Sequence, residues 1–156
     1  MKKIIRFFYK WATYLLCKIK SVLGVVTLGA RAIILNQDNQ ILLVKHTYQP
    51  HWYLPGGGVK RGESIKTAVL RELREEVGIV TQQEPELFGI YFNTYLGQND
   101  YPVIFVIKNY SIEEVDSPEI EAKGWFDFEK LPAMVSPGTQ RRLSEYFSNS
   151  VRLDTW

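Results

Sequence analysis

From Lys2 to Leu23 the apolar residues Ile4, Phe8, Trp11, Leu15, Ile19 and Val22 recur every three or four positions, while Lys3, Arg6, Lys10, Thr13 and Lys20 recur on another side. That period predicts an amphipathic helix over residues 1–23. After it the period changes. Val25 to Leu35 is a run of β-branched and aliphatic residues, Asn36-Gln37-Asp38-Asn39 supplies turn chemistry, and Gln40 to His46 resumes as a strand. Two strands joined as a hairpin are expected. A loop with Tyr48, Pro50 and His51 leads to a short extended stretch, Trp52 to Leu54, then Pro55 and three consecutive glycines.

Ser64 to Val77 contains neither Gly nor Pro and places Ile65, Ala68 or Val69, Leu73 and Val77 on one side, so it reads as a helix stopped by Gly78. Leu87 to Leu96 and Tyr101 to Tyr110 read as strands around Gly97-Gln98-Asn99-Asp100, and Ala122 to Phe128 as a further short strand. Ser136-Pro137 resembles an N-cap followed by proline at the first helical position, opening a helix to about Phe147. Strands alternating with helices on a mixed sheet indicate an α/β layered domain over residues 24–156.

Composition narrows this picture. At 156 residues, with 46% hydrophobic content, the chain has material for one core and too little length for two typical domains. One cysteine, Cys17, offers neither an internal disulfide nor a zinc cluster, and it points to a reducing cytoplasm. Seven of the 19 basic residues precede Asp38, the first acidic one, so the rest of the chain holds 12 basic against 17 acidic residues. A basic end and an acidic body imply different jobs. Lysines at 10, 18 and 20 break any long apolar run, which argues against a membrane span or a cleaved leader. Three uses of the first helix remain open: packing on the domain or on a second copy in a homodimer, lying in the inner membrane interface with its lysines near anionic headgroups, or contacting nucleic acid.

The segment with chemistry is the second helix. Glu72, Glu75 and Glu76 stand at i, i+3 and i+4 and share one side. Their repulsion would be relieved by a hard divalent cation such as Mg²⁺, which accepts oxygen ligands and keeps waters. Arg71 can pair with Glu63 and hold it in place. The glycines before the helix, Gly57 and Gly58 among them, allow close approach of backbone to a phosphate. Spacing alone favours a solvated face laced with Glu/Arg pairs, because such faces are common.

The stretch from Gly57 to Ile79 resembles the Nudix box, G-x5-E-x7-R-E-U-x-E-E-x-G-U with U aliphatic. Gly57, Glu63, Arg71, Glu72, Leu73, Glu75, Glu76, Gly78 and Ile79 match every specified position. The resemblance implies an α/β/α sandwich with a mixed sheet over about residues 25–150, preceded here by the amphipathic helix. It also implies a hydrolase that attacks one phosphorus of a nucleoside diphosphate linked to another moiety. In that reading Glu72, Glu75 and Glu76 bind Mg²⁺ or Mn²⁺ together with a backbone carbonyl near Gly56 and a downstream carboxylate, Glu119 or Glu121. The general base is Glu76 or Glu75, with Glu119 and Glu121 as alternatives, and Arg71 and Glu63 complete the catalytic set.

Other signals are weaker. His46, Lys45 and Trp52 flank the loop before the box and, with Gly57 and Gly58, are candidates to touch a phosphate or base; Lys60 and Arg61 join them as candidate phosphate attractors. Histidines in loops and aromatics in strands more commonly serve as solvated or core groups. The substrate class expected is a small nucleotide. Competing readings are removal of pyrophosphate from the 5′ end of RNA, suggested by the basic helix, and a nucleotide-sensing module without catalysis, from which the intact glutamates argue away.

Overall fold

The computed structural model describes residues 24–156 other than 96 and 149, together with Leu15 and Ile19. The expected helix over residues 1–23 therefore lies outside the described residues, apart from Leu15 and Ile19, which are helical and exposed. Among the described residues no helix is long and apolar enough to cross a membrane.

Among residues 24–156 the described elements are ten strands and two α-helices, in order β1 Thr27–Ile34, β2 Ile41–His46, β3 Trp52–Tyr53, β4 Gly56–Gly58, α1 Ile65–Val77, β5 Ile79–Val80, β6 Glu86–Ile90, β7 Asn93–Tyr95, β8 Gln98–Ile107, β9 Ser111–Ile112, β10 Ile120–Phe126 and α2 Pro137–Phe147. A single 3₁₀ turn, Phe128–Lys130, precedes α2.

The principal sheet runs β4-β1-β8-β6, with β7 also paired to β8. β1 and β8 are parallel, Thr27 beside Asp100 through Ile34 beside Ile107, and the other pairings are antiparallel. A second sheet runs β10-β2-β3. The alternation of side chains along β1 feeds two cores. Ala30, Ala32 and Ile34 join Ala68, Val69, Leu73 and Val77 of α1, whereas Ile33 joins Leu143 of α2 with Ile104 and Val106. Each fully buried Leu or Val in these layers contributes about 1.5–3 kcal/mol of transfer free energy. The result is the α/β/α sandwich with a mixed sheet.

Two expectations need correction. β1 and β2 do not form a hairpin. The Asn36–Asn39 turn is real, with Asn36 Oδ1 accepting the amides of Asp38 and Gln40 at 3.0 and 2.9 Å, but only the bridge between Leu35 and Ile41 joins the strands. Both strands are largely apolar, the mark of strands buried within layers; β1 takes β4 and the distant β8 as neighbours, and β2 takes the distant β10 on one side and the nearby β3 on the other. The segment 87–96 is not one strand either. It breaks at Tyr91 and Phe92, where the chain terminus enters: Phe92 donates to Asp154 O at 2.6 Å and accepts from Trp156 N at 2.8 Å. Tyr91 is buried there, donating to Glu145 at 3.1 Å beneath the Arg142 guanidinium.

The helix that carries the box forms as its sequence dictates. Ser64 Oγ accepts from Thr67 N at 3.0 Å, and Gly78, at φ 75°, closes the other end. A Cβ on Gly78 would stand 2.0 Å from Glu113 O, in the backbone just beyond β9. Gly78→Ala thus combines a left-handed alanine with an overlap against backbone, an expected loss of about 3 kcal/mol. A melting temperature lowered by roughly 5–10 °C would report it, and an unchanged one would refute this account of the cap.

Candidate active site

The glycine run is a strand. β4 pairs with β1 so that Gly56 lies beside Arg31 and Gly58 beside Gly29. Gly56 has φ 130°, and a Cβ there would meet Ala30 O at 2.2 Å, so only glycine permits this approach. α1 packs over β4, which lays its carboxylates against bare backbone. A Cβ on Gly57 would sit 2.7 Å from the Glu72 carboxyl group, making the missing side chain the seat of that carboxylate.

Glu76 is almost fully buried, and its Oε2 accepts from Gly56 N at 2.8 Å. Burial pushes its pKa up to about 7; Glu72 and Glu119 add to the rise, while the Gly56 amide and Arg31 oppose it. His46 Nδ1 lies 3.8 Å from Glu76 Oε1, too far for a hydrogen bond. Burial, helped by Arg31, pushes His46 down to about 4, so it is neutral at pH 7 and the contact is no ion pair. Its Nδ1 is buried with no protein partner.

Arg71 is the hub beside this pair. It clasps Glu63 through two bonds of 2.7 and 3.1 Å, and donates to Glu72 at 2.7 Å, Glu75 at 3.2 Å and Gly58 O at 3.3 Å. Glu63 also accepts from Lys60 N at 2.6 Å, and these bonds, Arg71 first, hold its carboxyl down at about 2.

A cleft of about 710 Å³ opens over these groups. Glu72, Glu76, Glu119, His46 and Gly56–Gly58 line it, with Lys60 and Arg61 also on its wall. Of the two downstream carboxylates, Glu119 reaches the cleft, whereas Glu121 pairs with Lys45 at 3.7 Å, and neither member of that pair lines it. Glu75 is over half exposed and lies off the cleft wall, held by Arg71. Trp52 packs edge-on against Phe126, ring centroids 5.1 Å apart, in the second core.

Arg31 is a cleft residue not singled out from the sequence as part of the site. It donates to Leu54 O at 3.0 Å and reaches Gly56 O at 3.5 Å. The signal was present: a guanidinium interrupts the apolar run of a strand buried on both faces, a placement tolerated only where a charge has partners.

The donor set is wholly oxygen: the carboxylates of Glu72, Glu76 and Glu119 and the Gly56 carbonyl. Among the described residues no three His, Cys, Asp or Glu side chains are gathered into a ready cage. Arg71 holds Glu72 on the cleft wall through one hydrogen bond. An open set of hard donors, the glycine-made seat for Glu72 and a desolvated carboxylate fit a divalent cation that retains waters and shares its coordination with a phosphate.

The family model described as NUDIX domain matches residues 26–147. The chain belongs to the NUDIX family. This Nudix chain is 32% identical over 120 residues to a Bacillus subtilis (strain 168) protein named putative 8-oxo-dGTP diphosphatase, spanning 77% of this chain and 79% of that one. It is 29% identical over 106 residues to a Methanocaldococcus jannaschii protein named ADP-ribose pyrophosphatase, spanning 65% and 62%. Its fold matches that of the MutT NUDIX hydrolase from Burkholderia pseudomallei with a TM-score of 0.67 and 28% identity, over 76% of this chain and 96% of the other. With every position of the box in place, it is a Nudix hydrolase of the pyrophosphohydrolase type, and the family uses divalent metal ions.

Proposed function

We propose that this Nudix hydrolase cleaves the diphosphate linkage of a small nucleotide with Mg²⁺ or Mn²⁺ as cofactor. The observation that carries the reading is Glu76: a buried carboxylate on the cleft, held by the Gly56 amide, with its pKa pushed up to about 7. A desolvated carboxylate fixed on the cleft wall is placed to take a proton from a water there, as a general base does. A bound Mg²⁺ or Mn²⁺, held by Glu72, Glu119 and the Gly56 carbonyl, would neutralise diphosphate charge and make a bound water more acidic.

The chain's own groups do the rest. Glu76 accepts the proton of the attacking water. The Gly56 amide fixes the carboxylate for that task, and neutral His46 adds no competing positive charge at Glu76. Lys60 and Arg61 on the cleft wall attract the substrate's phosphates. Glu63 and Arg71 hold Glu72 and the loop to Gly58 in register.

The test is turnover of nucleoside triphosphates, nucleotide sugars and dinucleotides with Mg²⁺, with Mn²⁺ and with EDTA. Turnover of one class is expected with either metal, falling to background in EDTA and returning when metal is restored. Equal rates with and without metal would refute the proposed cofactor, and no turnover of any class would refute the reading.

A further inference from the structure

We propose that Arg31 is a substrate-contacting residue whose guanidinium grips the phosphoryl group under attack beside Glu76. This rests on the hydrolase reading above and deepens it by one residue. Side chains alternate along β1, so Ala30 and Ala32 enter the core with α1 while Arg31 leaves the other face and lines the cleft. It is half-buried there, whereas Lys60 and Arg61 are exposed.

The guanidinium has no acidic partner. All 17 Asp and Glu residues of the chain are among the described ones, and none lies within ion-pair distance of Arg31; Glu76 feels its charge from farther off. Its hydrogen bonds start from Nη1 alone, to Leu54 O at 3.0 Å and Gly56 O at 3.5 Å, and they hold the turn between β3 and β4. Nε and Nη2 bond to no described residue and are not sealed from solvent, so they open on the cleft. A partly desolvated charge without a counter-ion is costly, and an anion from outside the chain would offset that cost.

Gly56 fixes where that anion sits. Its amide donates to Glu76 Oε2 at 2.8 Å while its carbonyl oxygen is 3.5 Å from Arg31 Nη1, so the proposed base and the guanidinium flank one residue. A water activated by Glu76 attacks a phosphorus within reach of both. The open edge of an arginine presents two parallel N–H donors, from Nε and Nη2, which match two oxygens of one phosphoryl group. Charge spreads over those oxygens in the transition state, where a half-buried donor pair already fixed by Leu54 O stabilises it more than the exposed Lys60 and Arg61 do.

The test is calorimetry on the full chain with two probes, Mn²⁺ alone and inorganic pyrophosphate at saturating Mn²⁺, with the fold followed by melting temperature. Arg31→Gln should weaken pyrophosphate at least about tenfold. It should leave Mn²⁺ alone as tight as in wild type or tighter, because a positive charge 3.5 Å from Gly56 O, a proposed metal ligand, has gone. Its kcat is expected to fall by about a hundredfold. If glutamine lowers the melting temperature, Arg31→Lys, which keeps the charge without the fork, should show the same pattern with pyrophosphate weakened at least about threefold. Pyrophosphate affinity within about threefold of wild type in Arg31→Gln, or unchanged in Arg31→Lys, overturns the proposal. So does a joint loss of Mn²⁺ and pyrophosphate, which would confine Arg31 to holding the turn, or a wild type that binds no pyrophosphate. Because binding is read without turnover, Arg31-dependent pyrophosphate binding in a chain that hydrolyses nothing would leave the contact standing while the hydrolase reading fails.

Discussion

Glu76→Gln is expected to lower kcat by about a thousandfold while the protein stays folded. Glutamine keeps the shape and can still accept the Gly56 amide through its carbonyl oxygen, so the contact that seats residue 76 survives. What disappears is the group that takes the proton. The same substitution should leave a stability signature in metal-free protein. A carboxyl whose pKa is about 7 in the folded chain and 4.5 without perturbation holds its proton more tightly when folded. Its ionisation therefore opposes folding: the cost is absent below about 4.5, grows as pH rises, and is complete above about 7, reaching at most about 3 kcal/mol. Melting temperatures in EDTA should shift in favour of the variant as pH rises from 4.5 to 7. Activity within threefold of wild type would remove Glu76 from the chemistry. A melting difference independent of pH would show that its pKa is ordinary.

How much of this was legible in the sequence depends on whether the controlling interaction is local. Ser64, Gly78, Ser136 and Pro137 act on their own helix ends: both helices begin, and α1 ends, where those residues place them. The box is local as well: Arg71 meets Glu72 and Glu75 along one helix and Glu63 eight residues away. Strand pairing is not local. The turn after β1 reverses the chain but carries no information about which strand 73 residues later will lie beside it. β4 is hidden for the same reason, since three glycines announce flexibility and become a strand only because β1 offers an edge that glycine alone can approach. Glu119 and Glu121 could not be separated by pattern, because a bulge between Ile120 and Ala122 sets which carboxylate faces the cleft. Lys45 alternates with His46 on β2, so one side chain faces the cleft and the other the far side, with Glu121.

Arg71→Ala is expected to cost at least about a hundredfold in turnover and to lower the melting temperature by about 5 °C. One guanidinium has five donors, and here they serve three carboxylates and a carbonyl. Removing it leaves Glu63, Glu72 and Glu75 without their shared counter-charge. It also releases the loop from Gly58 to Glu63 and frees Glu72 from the position that faces the cleft. Arg71→Lys separates charge from geometry: lysine restores a positive charge but cannot reproduce the planar fork, so it should recover part of the stability and little of the turnover. Full turnover in Arg71→Lys would mean that charge suffices, and the positioning role would be wrong. The pH dependence has a definite sign. Glu63, ordinarily at 4.5, is held at about 2 by Arg71 first and the Lys60 amide second, so the pair's contribution is complete above 4.5 and fades as pH falls toward 2. The gap in melting temperature between wild type and Arg71→Ala should therefore narrow from pH 5 to pH 3, whereas a constant gap would mean that Arg71 stabilises the fold by packing and not by its bonds to Glu63.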